Sequence, residues 1–154
     1  MSIPYAHELQ AGDKYASLEF VVSAEFNQQF LYAVEDYNPI YIEGRDGNPP
    51  IVHPTVLMYF SPRTRSPTFR QRADMGSAMA RDSAEYFAPA YVDRPLRIDW
   101  QVTQTYEKRD KIYQDYIAEV VDVGTGQVLL RRAMASTFFT LGKVKTYALE
   151  AEPK

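Results

Sequence analysis

Asp36-Tyr37-Asn38-Pro39-Ile40-Tyr41 is a turn-forming stretch set between two apolar segments of helical character. On its N-terminal side Ser23 is placed to cap a helix, with Glu25 in the first turn, where an acid complements the helix dipole. Phe26, Phe30, Ala33 and Val34 recur at helical spacing and predict an amphipathic helix that ends before Pro39. On the C-terminal side Gly44, Gly47, Asn48, Pro49 and Pro50 form turns, and the apolar run from Ile51 to Phe60 follows. Pro54 suits the first turn of a helix, where its missing N–H costs no internal hydrogen bond. Pro54 to Phe60 therefore reads as a short, largely buried helix. Beyond it, Pro62 to Arg72 holds Arg63, Arg65, Arg70 and Arg72 without an acid, a basic loop.

The rest of the chain is strand-like. Lys14 to Val22, after Gly12-Asp13, predicts a first strand. From Leu96 the apolar positions Leu96, Ile98, Trp100, Val102 and Tyr106 alternate with polar ones, the mark of a strand with one buried face. Lys108 to Lys111 makes a charged turn, Ile112 to Val121 another strand, and Asp122 to Gly126 a hairpin connection into Gln127 to Phe139. Tyr86 to Tyr91 is expected in an earlier strand interrupted by Pro89. With no repeat or interdomain linker, the order predicts a single α+β domain over residues 1–154, core about 9–140, with helices segregated from one antiparallel sheet.

Composition narrows the function classes. The 154 residues are enough to bury a core without disulfides or metal. The absence of cysteine excludes a disulfide framework, Cys-ligated zinc, iron-sulfur clusters and a thiol nucleophile. No apolar run approaches the roughly 20 residues needed to span a bilayer, and Met1 to Gln10 lacks a signal-peptide core. The expectation is a cytoplasmic protein that does not enter the membrane. A net charge of -3 offers no general attraction to nucleic acid. Twelve tyrosines and eight phenylalanines point to aromatic-rich packing or an apolar ligand tunnel.

The stretch from Asp36 fits five of six places of the motif Asp, any residue, Asn, Pro, aliphatic, His, with Tyr41 in the place of the histidine. Together with Leu9-Gln10-Ala11-Gly12-Asp13, Ile51-Val52-His53-Pro54, Tyr86-Phe87-Ala88-Pro89 and Tyr106-Glu107-Lys108-Arg109, it resembles the MaoC-like (R)-specific enoyl-CoA hydratases and dehydratases. The Tyr86 and Tyr106 stretches resemble the type I fatty-acid-synthase-like dehydratase branch in particular. The resemblance implies a hot-dog fold, an antiparallel sheet wrapped around a central helix. It implies two such units working together, as a homodimer or as a heteromer with a second hot-dog chain. It also implies reversible addition of water to a 2-enoyl thioester, of CoA or an acyl carrier, with no cofactor and no metal.

Carried over by position, Asp36 would be the general base, Asn38 would shape the loop or orient the water, and Tyr41 would stand where the imidazole is expected. A phenol with a pKa of about 10 is a poor proton acceptor at neutral pH, though it can donate a hydrogen bond. The family's His-Gly at the start of the central helix is His53-Pro54 here, and proline has no N–H for an oxyanion. The Thr55 N–H could substitute only if the loop shifts. His53 is open to two uses: a cap or packing group at the helix start, or a partner that approaches Asp36. Arg63 and Arg65 are candidates for CoA or phosphopantetheine phosphate, set against a solvated loop. Asp36 and Asn38 also suit a plain turn, and His7 has no assigned role. Three functions stay open: a hydratase or dehydratase, a non-catalytic subunit of a heteromeric hydratase, and a thioesterase on the same fold.

Overall fold

The structure is a computed structural model that describes residues 2–143. Five strands, β1 (Lys14–Val21), β2 (Met75–Tyr86), β3 (Pro95–Lys108), β4 (Lys111–Asp122) and β5 (Val128–Thr140), form one sheet in the order β1-β3-β4-β5-β2. Every neighbouring pair is antiparallel. Helices α1 (Ala24–Val34) and α2 (Pro54–Phe60) fall between β1 and β2, so the architecture is the expected α+β one.

The caps form where local chemistry puts them. The Ser23 hydroxyl accepts from the Phe26 N–H at 3.0 Å and starts α1. The helix ends at Glu35, held in the left-handed region at φ 56° with its N–H turned back to Leu31 and Tyr32. Pro54 opens α2, and the His53 side chain caps it. At the β3–β4 turn Arg109 and Asp110 both have positive φ, 52° and 59°, the backbone of a type I′ hairpin.

The inward residues Leu96, Ile98, Trp100 and Val102 of β3 meet Tyr116, Ala118 and Val120 of β4 and Leu130, Met134 and Phe138 of β5, with Val56 and Leu57 of α2 over them. Fully burying such a large apolar side chain contributes roughly 1.5–3 kcal/mol. Two polar ties seat α2: the Trp100 indole N–H donates to the Ser61 carbonyl at 2.7 Å, and Arg132 donates to the Met58 carbonyl at 2.9 Å. Arg132 also binds Asp82, which fastens β2 to β5.

Three expectations are corrected. The buried stripe of α1 is Asn27 and Leu31, with Phe26 and Phe30 beside them, whereas Ala33 and Val34 are exposed. The alternation of β3 breaks after Val102, where the pairing with β4 shifts register; Tyr106 is thereby turned out and stacks on Tyr113. The strand expected over Tyr86 to Tyr91 lies earlier, in β2, which ends at Tyr86. Beyond it, Val52 donates to Ala90 and Val92 to Pro50, which ties Ala90–Val92 to the approach of α2. Among the described residues no helix is long and apolar enough to cross a membrane.

Candidate active site

Asp36 leaves α1 through the left-handed Glu35, and its N–H returns to the Leu31 carbonyl at 3.1 Å. Its carboxylate has two contacts. Oδ1 accepts from the Asn38 N–H at 3.1 Å, an Asx-type turn. Oδ2 faces His53 Nε2 at 3.3 Å. The Asn38 side chain is spent as a cap, its oxygen accepting from Ile40 N–H at 3.1 Å to start the Pro39–Tyr41 turn.

His53 serves both of the uses left open by its position. Its Nδ1 accepts from the Thr55 N–H at 3.2 Å, so the neutral ring carries its proton on Nε2, the nitrogen turned to Asp36. The imidazole is 14 % exposed and the carboxylate 37 %, which leaves the carboxylate open to solvent and the imidazole sheltered. Aromatic rings hold the imidazole: Tyr41 lies 5.0 Å away between centroids and Phe30 5.9 Å. Tyr41 therefore supports the histidine with its ring.

The start of α2 offers little to an oxyanion in this arrangement. Pro54 has no N–H, the Thr55 N–H is held by His53 Nδ1, and the Val56 N–H is held by the His53 carbonyl at 2.9 Å. A carbonyl oxygen would have to displace His53 Nδ1 to reach Thr55.

On the far side of Tyr41 and Pro54 from the couple lies a cavity of about 360 Å³ bounded by Ile40, Tyr41, Val52, Leu57, Tyr86 and Phe87 among others; Asp36 and His53 do not line it. None of its lining residues is charged, so it suits a neutral hydrocarbon group. Its polar edge is supplied by tyrosines; the Tyr86 hydroxyl donates to the Pro54 carbonyl at 3.1 Å.

Neither a family model nor a curated protein sequence matches this chain. Solved structures do. One is an (R)-hydratase from A. caviae involved in PHA biosynthesis, at 20% identity over 85% of this chain and 98% of that one, with a TM-score of 0.64. Another is a MaoC-like dehydratase from Rhodospirillum rubrum, at 15% identity over 89% and 97%, with a TM-score of 0.71. A third is the fluoroacetyl-CoA thioesterase FlK, at 14% identity over 88% and 91%, with a TM-score of 0.59. The chain has the hot-dog fold. At these identities the likeness is one of fold, and a hot-dog fold alone does not choose among chemistries.

Within this hot-dog fold the basic loop divides, with Arg63 turned inward and Arg65, Arg70 and Arg72 exposed. Arg63 is buried, its guanidinium 4.5 Å from the Tyr116 ring and 4.7 Å from Phe138, and it donates to Gln114. Arg70 donates to the Ile3 carbonyl and Arg72 pairs with Asp74. Arg65 is exposed but lies over Tyr59, at 4.2 Å. Arg63 and Arg65 stand at the far end of α2 from His53, roughly 10 Å along a seven-residue helix. A second groove of about 490 Å³ runs over the opposite sheet face and is lined by Lys14, Asp99, Glu119 and Arg131 among others; Arg131 pairs with Glu119, and Asp99 pairs with Arg97 beside the groove. Among the described residues no cluster of His, Asp and Glu is arranged to hold a metal.

One residue of the site carries no motif signal. Asn27, fully buried on α1, donates to the Tyr41 and Ile51 carbonyls at 3.1 and 3.0 Å and accepts from the His53 N–H at 2.9 Å. Its cue in the sequence is a polar residue on the inward stripe of an amphipathic helix, between Phe26 and Phe30.

Proposed function

We propose that this chain is a hydratase or dehydratase of acyl thioesters, CoA or carrier-bound, in which Asp36 and His53 form the reacting couple and Tyr41 is its aromatic support. The observation that carries the reading is the 3.3 Å approach of His53 Nε2 to Asp36 Oδ2, with an uncharged cavity beyond Tyr41. Thr55 would bind the thioester carbonyl through its N–H once His53 Nδ1 gives it up. In hydration, the water oxygen bonds to the β-carbon while Asp36 takes its proton. The proton that His53 carries on Nε2 passes to the α-carbon, and the proton taken up by Asp36 Oδ2 replaces it on Nε2, so OH and H are both added and the couple ends as it began. Dehydration is the same path reversed.

The test is water addition to a panel of 2-enoyl-CoAs by wild type, Asp36→Asn, His53→Asn and Tyr41→Phe. The expected result is a loss on the order of 10²- to 10⁴-fold for the first two variants, with Tyr41→Phe close to wild type. Equal rates in wild type and Asp36→Asn would sink the reading, and free CoA without hydration would move the chain to the thioesterase class. A second reading has its own observation, the absence of an unengaged N–H on the first turn of α2. It makes the chain the non-catalytic half of a heteromer, supported by well-folded wild type that binds an acyl thioester, turns over none, and gains activity with a second hot-dog chain.

A further inference from the structure

We infer that Asn27 is a positioning residue, the group through which α1 sets the distance between Asp36 and His53. The inference rests on the reading of that couple as the reacting pair. Asn27 lies on the buried stripe of α1 with Leu31, where a leucine would meet the packing requirement. A primary amide in that place costs free energy unless its donors and acceptor are satisfied. All are: both amide protons go to carbonyls, Tyr41 and Ile51, and the oxygen takes the His53 N–H. The assignment of oxygen and nitrogen follows from these partners, two acceptors and one donor.

The partners are the point. Tyr41 closes the turn that begins at Asp36, and Ile51 and His53 are the last steps into α2. Asp36 is itself tied to α1 through its N–H to Leu31. One helix therefore grips both halves of the couple, the carboxylate by its C-terminal cap and the imidazole by the Asn27 amide. The intervening chain from Ile42 to Pro50 contains two left-handed glycines, Gly44 and Gly47, and it makes its own turn, Arg45 against Asn48. Across its ends the Ile51 N–H donates to the Ile40 carbonyl at 3.1 Å, a tie between the two loops, and the Asn27 amide adds the tie of both loops to α1.

The experiment compares wild type with Asn27→Leu, which keeps apolar volume and removes all three bonds, and Asn27→Asp, which keeps the acceptor for the His53 N–H and loses both donors. Two readouts are taken, ¹⁵N imidazole spectra of neutral His53 and steady-state hydration kinetics. The chain has two histidines, so His7 serves as an internal reference. Wild type is expected to show the Nε2–H tautomer. Asn27→Leu, with native circular dichroism, is expected to show mixed tautomers and a kcat lower by roughly 100-fold, the loss that follows a displacement of about 1 Å, with little change in KM; Asn27→Asp is expected to fall between. Folded Asn27→Leu with the wild-type tautomer would overturn the inference, even with a lower melting temperature, because that is the pattern of a structural role. If Asn27→Leu fails to fold, Asn27→Asp decides in the same way. If wild type hydrates no thioester, the proposed function fails, while the tautomer spectra still decide whether Asn27 sets the ring.

Discussion

A histidine supplied by the start of a helix differs in a physical sense from one supplied by the loop. His53 is the N-cap of α2, so its ring cannot turn without releasing the Thr55 N–H. Capping and reaction thus draw on the same imidazole, and a carbonyl that takes the Thr55 N–H also frees Nδ1. Glu35 shows strain at the same scale. It is a non-glycine residue at φ 56°, where a Cβ crowds the carbonyl oxygen by about 1–2 kcal/mol. Glycine removes that cost and loses roughly 0.5–1 kcal/mol to its greater unfolded entropy. Glu35→Gly should therefore raise the unfolding free energy by about 0.5–1 kcal/mol, read as a higher urea midpoint at unchanged slope. A lower midpoint would show that the Glu35 side chain contributes more than its backbone costs.

At the scale of elements, the Ile42–Pro50 excursion and β2 behave differently. The excursion depends on Gly44, whose φ is 77° and where a Cβ would lie 2.3 Å from the Asn48 carbonyl oxygen. Backbone cannot move aside as a flexible side chain can. Gly44→Ala should cost more than about 1 kcal/mol in chemical denaturation, and an unchanged midpoint would mean that the turn re-forms another way. β2 was not legible as a strand because Met-Gly-Ser-Ala-Met-Ala-Arg-Asp-Ser-Ala-Glu-Tyr has no period-2 pattern. The physical reason is its place: an edge strand paired only with β5 and buried only at Met75 has no apolar face to write into the sequence. β3, with a buried face, was legible up to Val102, where the register shift reverses which side chains point inward.

Over the whole molecule, the Asp82–Arg132 pair joins the edge strand, β5 and the end of α2, since Arg132 also reaches the Met58 carbonyl and Ser61 hydroxyl. Hydrogen bonds from Arg132 hold the Asp82 carboxyl below the usual range despite partial burial. The unfolded chain, with an aspartate value of about 3.9, then binds more protons than the folded one in acid. The pair's stabilisation is full above that value and is lost as pH falls through the folded one. The expected outcome is a melting-temperature gap between wild type and Asp82→Asn that narrows below about pH 4, on a slope that other lowered carboxyls, Asp74 and Asp99, keep from vanishing. A gap constant from pH 7 to 3 would remove Asp82 from the acid response. The sequence alone determined the elements whose signal is local: the Ser23 cap, the Pro54 start of α2, the alternating part of β3, the charged hairpin turn and the Asp36 loop, because caps, turns and periodicity act between residues a few positions apart. Only the tertiary structure decided that His53 meets Asp36, that Asn27 holds them, and that Arg63 turns inward to Tyr116 and Phe138. Those contacts join residues 14 to 75 positions apart, and chain direction and packing, which no short window contains, bring them together.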